Sequence, residues 1–161
     1  SFALTVAKKT SKKFKEANNL INWLLKKEEL FNYNSISAFK SFYSNISKHK
    51  KIFRDLILNL RNDKKNILGY GASTKGNIIL QFCNLNSKHI PYIAEVNKFK
   101  FNRYTPGSNI KIISEHEAKK INPDYFLVLP WHFKNHIIKK ENKFLKNGGK
   151  LIFPLPDIDI I

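Results

Sequence analysis

The sequence has one cysteine, no methionine and few arginines, and the shortages exclude several classes of protein. Cys83 stands alone, which excludes an internal disulfide and a cysteine-rich zinc site and fits a reducing compartment. No apolar run approaches the roughly 18 residues that a membrane helix needs. The charges of residues 1–13 follow the apolar residues, the reverse of a signal peptide. We therefore expect a cytoplasmic protein with no membrane partner and no bound metal.

The net charge of +17 comes almost wholly from lysine, because Arg54, Arg61 and Arg103 are the only arginines. A basic chain can bind nucleic acid or anionic lipid. Base reading and stacking favour arginine, however. The abundance of Lys, Asn, Ile and Phe is typical of a genome rich in A and T. The composition therefore disfavours a nucleic-acid partner, although nucleic-acid binding stays open as an alternative. A positively charged surface favours a ligand that carries phosphate.

The pattern of residues 1–62 predicts a short strand followed by a helical segment. Alternating apolar residues at 2–7 predict the strand. Helical spacing predicts one helix over 15–31 and a longer one that begins after Ser35 as N-cap and ends near Arg61. The apolar residues of the longer helix form one stripe, which predicts a core-facing side: Ile36, Phe39, Tyr43, Ile46, Phe53, Ile57 and Leu60.

From residue 63 onward, strands alternate with helices. Strands are predicted over 66–70, 89–96, 110–113, 124–130 and 150–155. Helices are predicted over 77–83 and 132–145, with a short one after a Ser114–Glu117 capping box. Alternation of this kind predicts an α/β fold with a Rossmann-like, doubly wound, mostly parallel sheet, preceded by the helical segment 14–62.

A glycine-rich loop joins the first of these strands to its helix. Glycines let the backbone turn tightly and approach a ligand, and the helix start offers free N–H groups to an anion. The spacing matches neither the dinucleotide fingerprint nor the P-loop, so a plain tight turn stays open beside anion binding. The candidate ligand-binding residues are Gly69, Gly71, Ser73, Thr74, Lys75 and Gly76.

Three more candidates stand where strands are predicted to end. Glu95 lies about 20 residues after the loop, where a Rossmann fold places an acidic ribose acceptor. Trp131 follows the fourth strand and either stacks on a ring or packs against the sheet. His132 is a weak candidate for an acid or base, since a histidine at a helix start is more often structural. The sequence shows no paired carboxylates, no catalytic triad and no metal-ligand cluster.

Several segments together resemble the C-terminal domain of S-adenosylmethionine-dependent sugar C-methyltransferases. They are GYGASTKGN (69–77), EVNKFKFNRYTPGSNI (95–110), SEHEA (114–118), PDYFLVLPWHF (123–133) and GGKLIFPLP (148–156). The resemblance covers the chain from about residue 35 to its end. Two positions depart from the family pattern: Lys111 stands where proline is usual, and His136 where glutamate is common. These departures weaken the sugar assignment more than the fold.

The resemblance implies a domain, residues 63–161, that helps to hold a nucleotide-linked keto-deoxysugar. It adds Thr105, in the Thr-Pro-Gly turn, to the binding candidates, and it implies that His132 belongs to a Pro-Trp-His binding element. The methyl donor S-adenosylmethionine would be bound by a missing central domain of the same or a separate chain, and this domain alone would bind no cofactor. Residues 1–13 resemble the end of that preceding domain and its linker.

One alternative places the methyl donor in the glycine loop itself. Methyltransferases of the common Rossmann-like class also use a strand, a glycine loop and an acidic residue after the second strand, so the residues alone leave this possibility open. The family resemblance argues against it. On the favoured interpretation the isolated domain is inactive, and it contributes no catalytic residue unless His132 acts as one.

Overall fold

A computed structural model describes residues 3–161 of the chain. The chain divides into two compact units, residues 3–45 and residues 46–161. The first unit contains α1 (Asn18–Leu30) and the beginning of α2 (Ile36–Asn62). Ser35 accepts a hydrogen bond from the Ala38 amide at 3.2 Å, which confirms it as the N-cap of α2.

Two predictions for the amino-terminal segment are wrong. Residues 3–7 form no strand, because a strand needs a neighbour for its backbone groups and none of the described residues pairs with them; residue 2 of that prediction lies outside the described residues. The predicted core stripe is buried only at Phe53 and Ile57, whereas Ile36 and Phe39 are 74% and 67% exposed. No side chain between residues 3 and 45 is buried. Helical spacing identifies the apolar face of α2, but it does not show which part of that face packs against other residues.

The second unit is an α/β fold with a sheet of six strands, in the order β3-β2-β1-β4-β5-β6. Strands β1 to β5 pair in parallel, and β6 runs antiparallel to β5. This confirms the Rossmann-like, doubly wound fold. The strands are β1 (Ile67–Tyr70), β2 (Tyr92–Glu95), β3 (Lys111–Ser114), β4 (Tyr125–Val128), β5 (Lys150–Phe153) and β6 (Asp159–Ile160).

Helices cover both faces of the sheet. They are α3 (Thr74–Phe82), α4 (Glu115–Lys120), α5 (Lys134–Lys140) and α6 (Asn142–Lys146), with short 3-10 turns at Lys98–Lys100 and Trp131–Phe133. One buried cluster joins Phe53 of α2 and Leu80 of α3 to the sheet. The other joins Ala118 and Ile137 to the opposite face. None of the helices within residues 3–161 is long and apolar enough to cross a membrane.

The predicted elements of this unit are largely confirmed, with one main difference. The capping box of Ser114 and Glu117 starts α4 as predicted. The helix predicted over 132–145 is divided into a 3-10 turn, α5 and α6, with a break at Glu141. Glu141 is 1% exposed. Its carboxylate points into the protein to reach partners from other elements, which helical periodicity does not reveal.

Candidate functional site

A cleft of about 280 Å³ lies at the carboxyl ends of the parallel strands. The strand order reverses between β1 and β4, and open α/β sheets bind their ligands at such a switch point. Loops after β1, β2, β3 and β4 all reach the cleft, and α5 closes one side. Its lining includes Gly71, Ala72, Ser73, Glu95, Lys100, Glu115, Pro130, Phe133, His136 and Lys140.

The glycine loop passes so close to its neighbours that side chains are excluded. Gly71 has a φ of +79°, and a Cβ there would lie 2.8 Å from the Pro130 ring. Its amide donates to the Ala94 carbonyl at 2.7 Å, which ties the loop to β2. A Cβ on Gly69 would stand 2.6 Å from Cγ1 of Ile93. Glycine at these positions is a requirement of packing and backbone conformation.

Helix α3 begins at the edge of this cleft. The Ser73 hydroxyl caps it by accepting from the Gly76 amide at 3.0 Å. Within residues 3–161, the backbone amides of Thr74 and Lys75 donate to no acceptor. Such free first-turn amides, together with the positive end of the helix dipole, attract an anion. The Thr74 and Lys75 side chains are exposed and stand outside the cleft lining.

Glu95 is buried at the end of β2 and holds the loops together. Its Oε2 accepts from the Ala72 amide at 3.0 Å and from Lys100 Nζ at 3.1 Å. Its Oε1 accepts from the Val96 amide at 2.8 Å and from the Asn97 amide at 3.0 Å. Lys100 Nζ also donates to the Ala72 carbonyl at 2.8 Å. The backbone N–H and C=O of Ala72 are therefore both fixed by the Glu95–Lys100 pair.

The pKa of Glu95 reflects two opposed effects. Burial alone would raise its pKa. Hydrogen bonds from the Asn97 amide, the Lys100 ammonium and the Val96 amide stabilise the carboxylate, and they outweigh burial. The pKa of Glu95 consequently lies below its ordinary value, and the group is ionised at neutral pH.

A second polar network forms one wall of the cleft. The Tyr70 hydroxyl donates to Glu141 Oε1 at 2.8 Å, and Lys119 Nζ lies 2.8 Å from Glu141 Oε2. Lys140 Nζ pairs with Glu115 Oε1 at 2.5 Å, and it lies 5.4 Å from the centre of the Tyr70 ring. Burial, followed by the carboxylates of Glu141 and Glu115, raises the pKa of Tyr70 well above its usual range. Tyr70 therefore stays protonated and acts as a donor.

The structure brings only some of the predicted binding residues together. Gly71, Ser73 and Glu95 line the cleft. Trp131 is half-buried and packs against both core clusters, whereas His132 is exposed, and neither lines the cleft. Their contact with a ligand stays a prediction.

Thr105 lies in a different environment. It is buried, and its Oγ1 lies 2.7 Å from Ser108 Oγ and accepts from the Ile110 amide at 2.9 Å. The same turn packs on α3, since a Cβ on Gly107 would meet the Gln81 side chain. Thr105 is outside the cleft lining and stabilises its own turn. A role for Thr105 in binding stays a prediction.

Several cleft residues were not among the candidates from the sequence, including Lys100, Glu115, Phe133 and Lys140. Glu115 follows β3 directly, so its place just after a predicted strand was an available signal. Phe133 lies beside Pro130, whose carbonyl accepts from the Phe133 amide at 3.0 Å. Lys100 and Lys140 carry no such signal, since their role depends on which carboxylate each of them meets.

No group of three or more His, Cys, Asp or Glu side chains that could hold a metal occurs among residues 3–161. A larger cavity of about 410 Å³ lies near the amino ends of β4 and β5, and its lining includes Asp124, Phe144 and Gly149. Ligands of this fold bind at the opposite ends of the strands. The cleft beside the glycine loop is therefore the candidate site.

Two comparisons with known proteins match this chain. Residues 1–156 match the protein family described as the C-methyltransferase C-terminal domain. The chain is 34% identical over 123 residues to the C-methyltransferase NovU of Streptomyces niveus. The alignment covers 76% of this chain and 29% of the relative, so the chain spans less than a third of that protein's length.

Proposed function

Because the chain belongs to the C-methyltransferase C-terminal domain family, we propose that it positions the substrate of a sugar C-methyltransferase. The substrate would be a nucleotide-linked keto-deoxysugar. The observation that carries the proposal is the position of the cleft. It opens at the strand switch point, beside a helix whose first-turn amides lack acceptors among the described residues.

The ligand's diphosphate would lie at the start of α3. The free amides of Thr74 and Lys75 and the Ser73 hydroxyl are donors suited to phosphate oxygens, and the Lys75 ammonium adds a positive charge. Lys75 is exposed, so its side chain is free to turn toward a bound anion. This arrangement would allow anion binding without the spacing of the P-loop or the dinucleotide fingerprint.

A ring attached to the diphosphate would enter the cleft itself. Pro130 and Phe133 offer an apolar surface, as sugar and base rings require. The Glu115–Lys140 pair offers one acceptor and one donor group for hydroxyls. Recognition would thus combine a phosphate contact that gives affinity with polar contacts that set orientation.

The glycine loop is a poor fit for the methyl donor. A donor bound here would need the carboxylate after β2 to accept from its ribose. Glu95 instead has both oxygens engaged by three backbone amides and Lys100. We propose that S-adenosylmethionine, which supplies the methyl group, binds to a methyltransferase domain of the same or a separate chain. The isolated domain would then be inactive.

The chemistry requires a sugar held still beside that second domain. In the proposed reaction a base would take the proton next to the ketone, and the resulting enolate carbon would bond to the methyl group of S-adenosylmethionine while the sulfur–methyl bond breaks and S-adenosylhomocysteine leaves. Fixing the reacting carbon accounts for a large part of such a rate enhancement. The residues of this chain would bind and orient the sugar. His132 stands exposed and outside the cleft lining, so we assign the base to the other domain.

Titration calorimetry on this chain tests the proposal. The ligands are thymidine diphosphate, a thymidine-diphosphate-linked 4-keto-deoxysugar and S-adenosylmethionine, each at low and high salt. We expect the two nucleotide compounds to bind and the methyl donor not to bind. Binding of the donor alone would refute the proposal. Affinity that falls steeply with salt and is indifferent to the sugar would instead support a general polyanion surface.

Two variants locate the contacts. Lys75→Ala should weaken binding of both nucleotide compounds by about three- to tenfold through loss of a charged contact. Lys140→Ala should weaken the nucleotide sugar more than the free diphosphate, because Lys140 lies in the ring-binding cleft. Lys88→Ala, at an exposed lysine between α3 and β2, removes the same charge and should leave both affinities unchanged. Equal effects from all three variants would contradict the assigned contacts.

A further inference from the structure

Glu95 occupies the position at which Rossmann-like sites read the sugar of a nucleotide. In those sites, an acidic residue at the end of the second strand accepts hydrogen bonds from ribose hydroxyls. Glu95 is the last residue of β2, and it lines the cleft. Its position alone therefore predicts a nucleotide site that distinguishes ribose from deoxyribose.

The hydrogen bonds of Glu95 contradict that expectation. A carboxylate offers about four acceptor positions, two on each oxygen. Oε2 accepts from Ala72 and Lys100, and Oε1 accepts from Val96 and Asn97. All four positions are filled by groups of the protein. Three of these donors are backbone amides in loops, which a ligand hydroxyl cannot displace without moving the loops.

The remaining donor, Lys100, is held from two directions. Its Nζ lies 3.1 Å from Glu95 Oε2 and 2.8 Å from the Ala72 carbonyl oxygen. A hydroxyl that replaced Lys100 on Glu95 would also leave the Ala72 carbonyl without this partner. Since Ala72 precedes the α3 N-cap Ser73, the exchange would loosen the segment that presents the phosphate-binding amides.

We propose that this site leaves the nucleotide's ribose unread, and that Glu95 and Lys100 are positioning residues that hold the glycine loop. The inference rests on the proposed function, since it concerns the same site. On this proposal the domain recognises the diphosphate and the ring attached to it. It binds ribonucleotide and deoxyribonucleotide carriers with equal affinity.

The test compares ligands that differ only in their hydroxyls. 5-Methyluridine diphosphate (the ribose form), thymidine diphosphate and 3′-deoxythymidine diphosphate, which share one base, are titrated calorimetrically into the wild-type chain. We expect the three dissociation constants to agree within about twofold. A preference of about fivefold or more for the ribose form would overturn the inference and leave the proposed function standing. Failure of all three to bind would overturn the proposed function and the inference with it.

Variants then separate positioning from contact. Glu95→Gln and Lys100→Met should weaken all three ligands by the same factor, about tenfold, because each loosens the Ala72 peptide. Amide hydrogen exchange at Ala72 should become faster in both variants. Asp55→Asn, at an exposed carboxylate of α2, is the charge-matched control and should change neither quantity. A loss confined to the ribose form in Glu95→Gln would show direct reading of the hydroxyl and refute the positioning role.

Discussion

Gly76→Ala tests the close approach of α3 to the residues that follow β4. Gly76 is buried in the first turn of the helix, and an added Cβ would clash with the side chain of Leu129, which follows β4. The same Cβ would lie 2.9 Å from the Ser73 hydroxyl oxygen, which caps the helix. The substitution thus strains the packing and the cap together.

The expected loss follows from these contacts. Overpacking a core position costs about 1–3 kcal/mol, and losing a serine cap costs about 1 kcal/mol. Alanine's better helix propensity returns up to about 1 kcal/mol. We expect a net fall of about 2 kcal/mol in the free energy of unfolding, which lowers the melting temperature by roughly 5–10 °C.

Urea titration followed by circular dichroism measures the change. Ile78→Ala is the control in the same helix, because Ile78 is 63% exposed and its truncation should cost less than about 0.5 kcal/mol. Calorimetry with thymidine diphosphate should show weaker binding by Gly76→Ala, because the amides of α3 move with the strained turn. An unchanged or raised unfolding midpoint for Gly76→Ala would refute the packing argument.

Three other perturbations have defined outcomes. Tyr70→Phe removes the hydroxyl that donates to buried Glu141 and should lower the free energy of unfolding by about 1–2 kcal/mol in urea. Ser114→Ala breaks the capping box of α4 and should cost about 1 kcal/mol in the same assay. The folded-state pKa of Glu95 lies below the ordinary 4.5, so its stabilising contribution is present above that pH and is lost as the pH falls through the folded pKa. Glu95→Gln should therefore flatten the loss of stability on acidification, measured by urea titrations from neutral pH down to about pH 3.

Each of these outcomes has a matched check. A double-mutant cycle of Tyr70→Phe with Glu141→Gln should show coupling, and additive losses would contradict the hydrogen bond. Ser87→Ala, at an exposed serine in a loop, should have no effect; a loss equal to that of Ser114→Ala would contradict the cap. An acid-unfolding profile unchanged by Glu95→Gln would show that other carboxylates dominate.

Local patterns in the sequence determined most of the second unit. Short apolar runs and turn residues predicted β1, β2, β4 and β5, because a strand buried on both faces needs consecutive apolar side chains. The capping box of Ser114 and Glu117 was readable because all its atoms lie within one helical turn. The alternation of elements was enough to predict the parallel, doubly wound sheet, since crossover connections favour it.

Tertiary structure decided what the polar residues of the cleft do. The position of Glu95 predicted a ribose acceptor, but its four donors come from three loop amides and a lysine that only folding brings together. Phe39 and Phe53 belong to one predicted apolar stripe, yet the first is exposed and the second is buried. Periodicity places residues on one face of a helix, whereas burial and hydrogen bonding depend on what lies opposite. For this chain, the sequence determined the order and type of its elements, and the packing of loops at the strand ends decided the chemistry of the cleft.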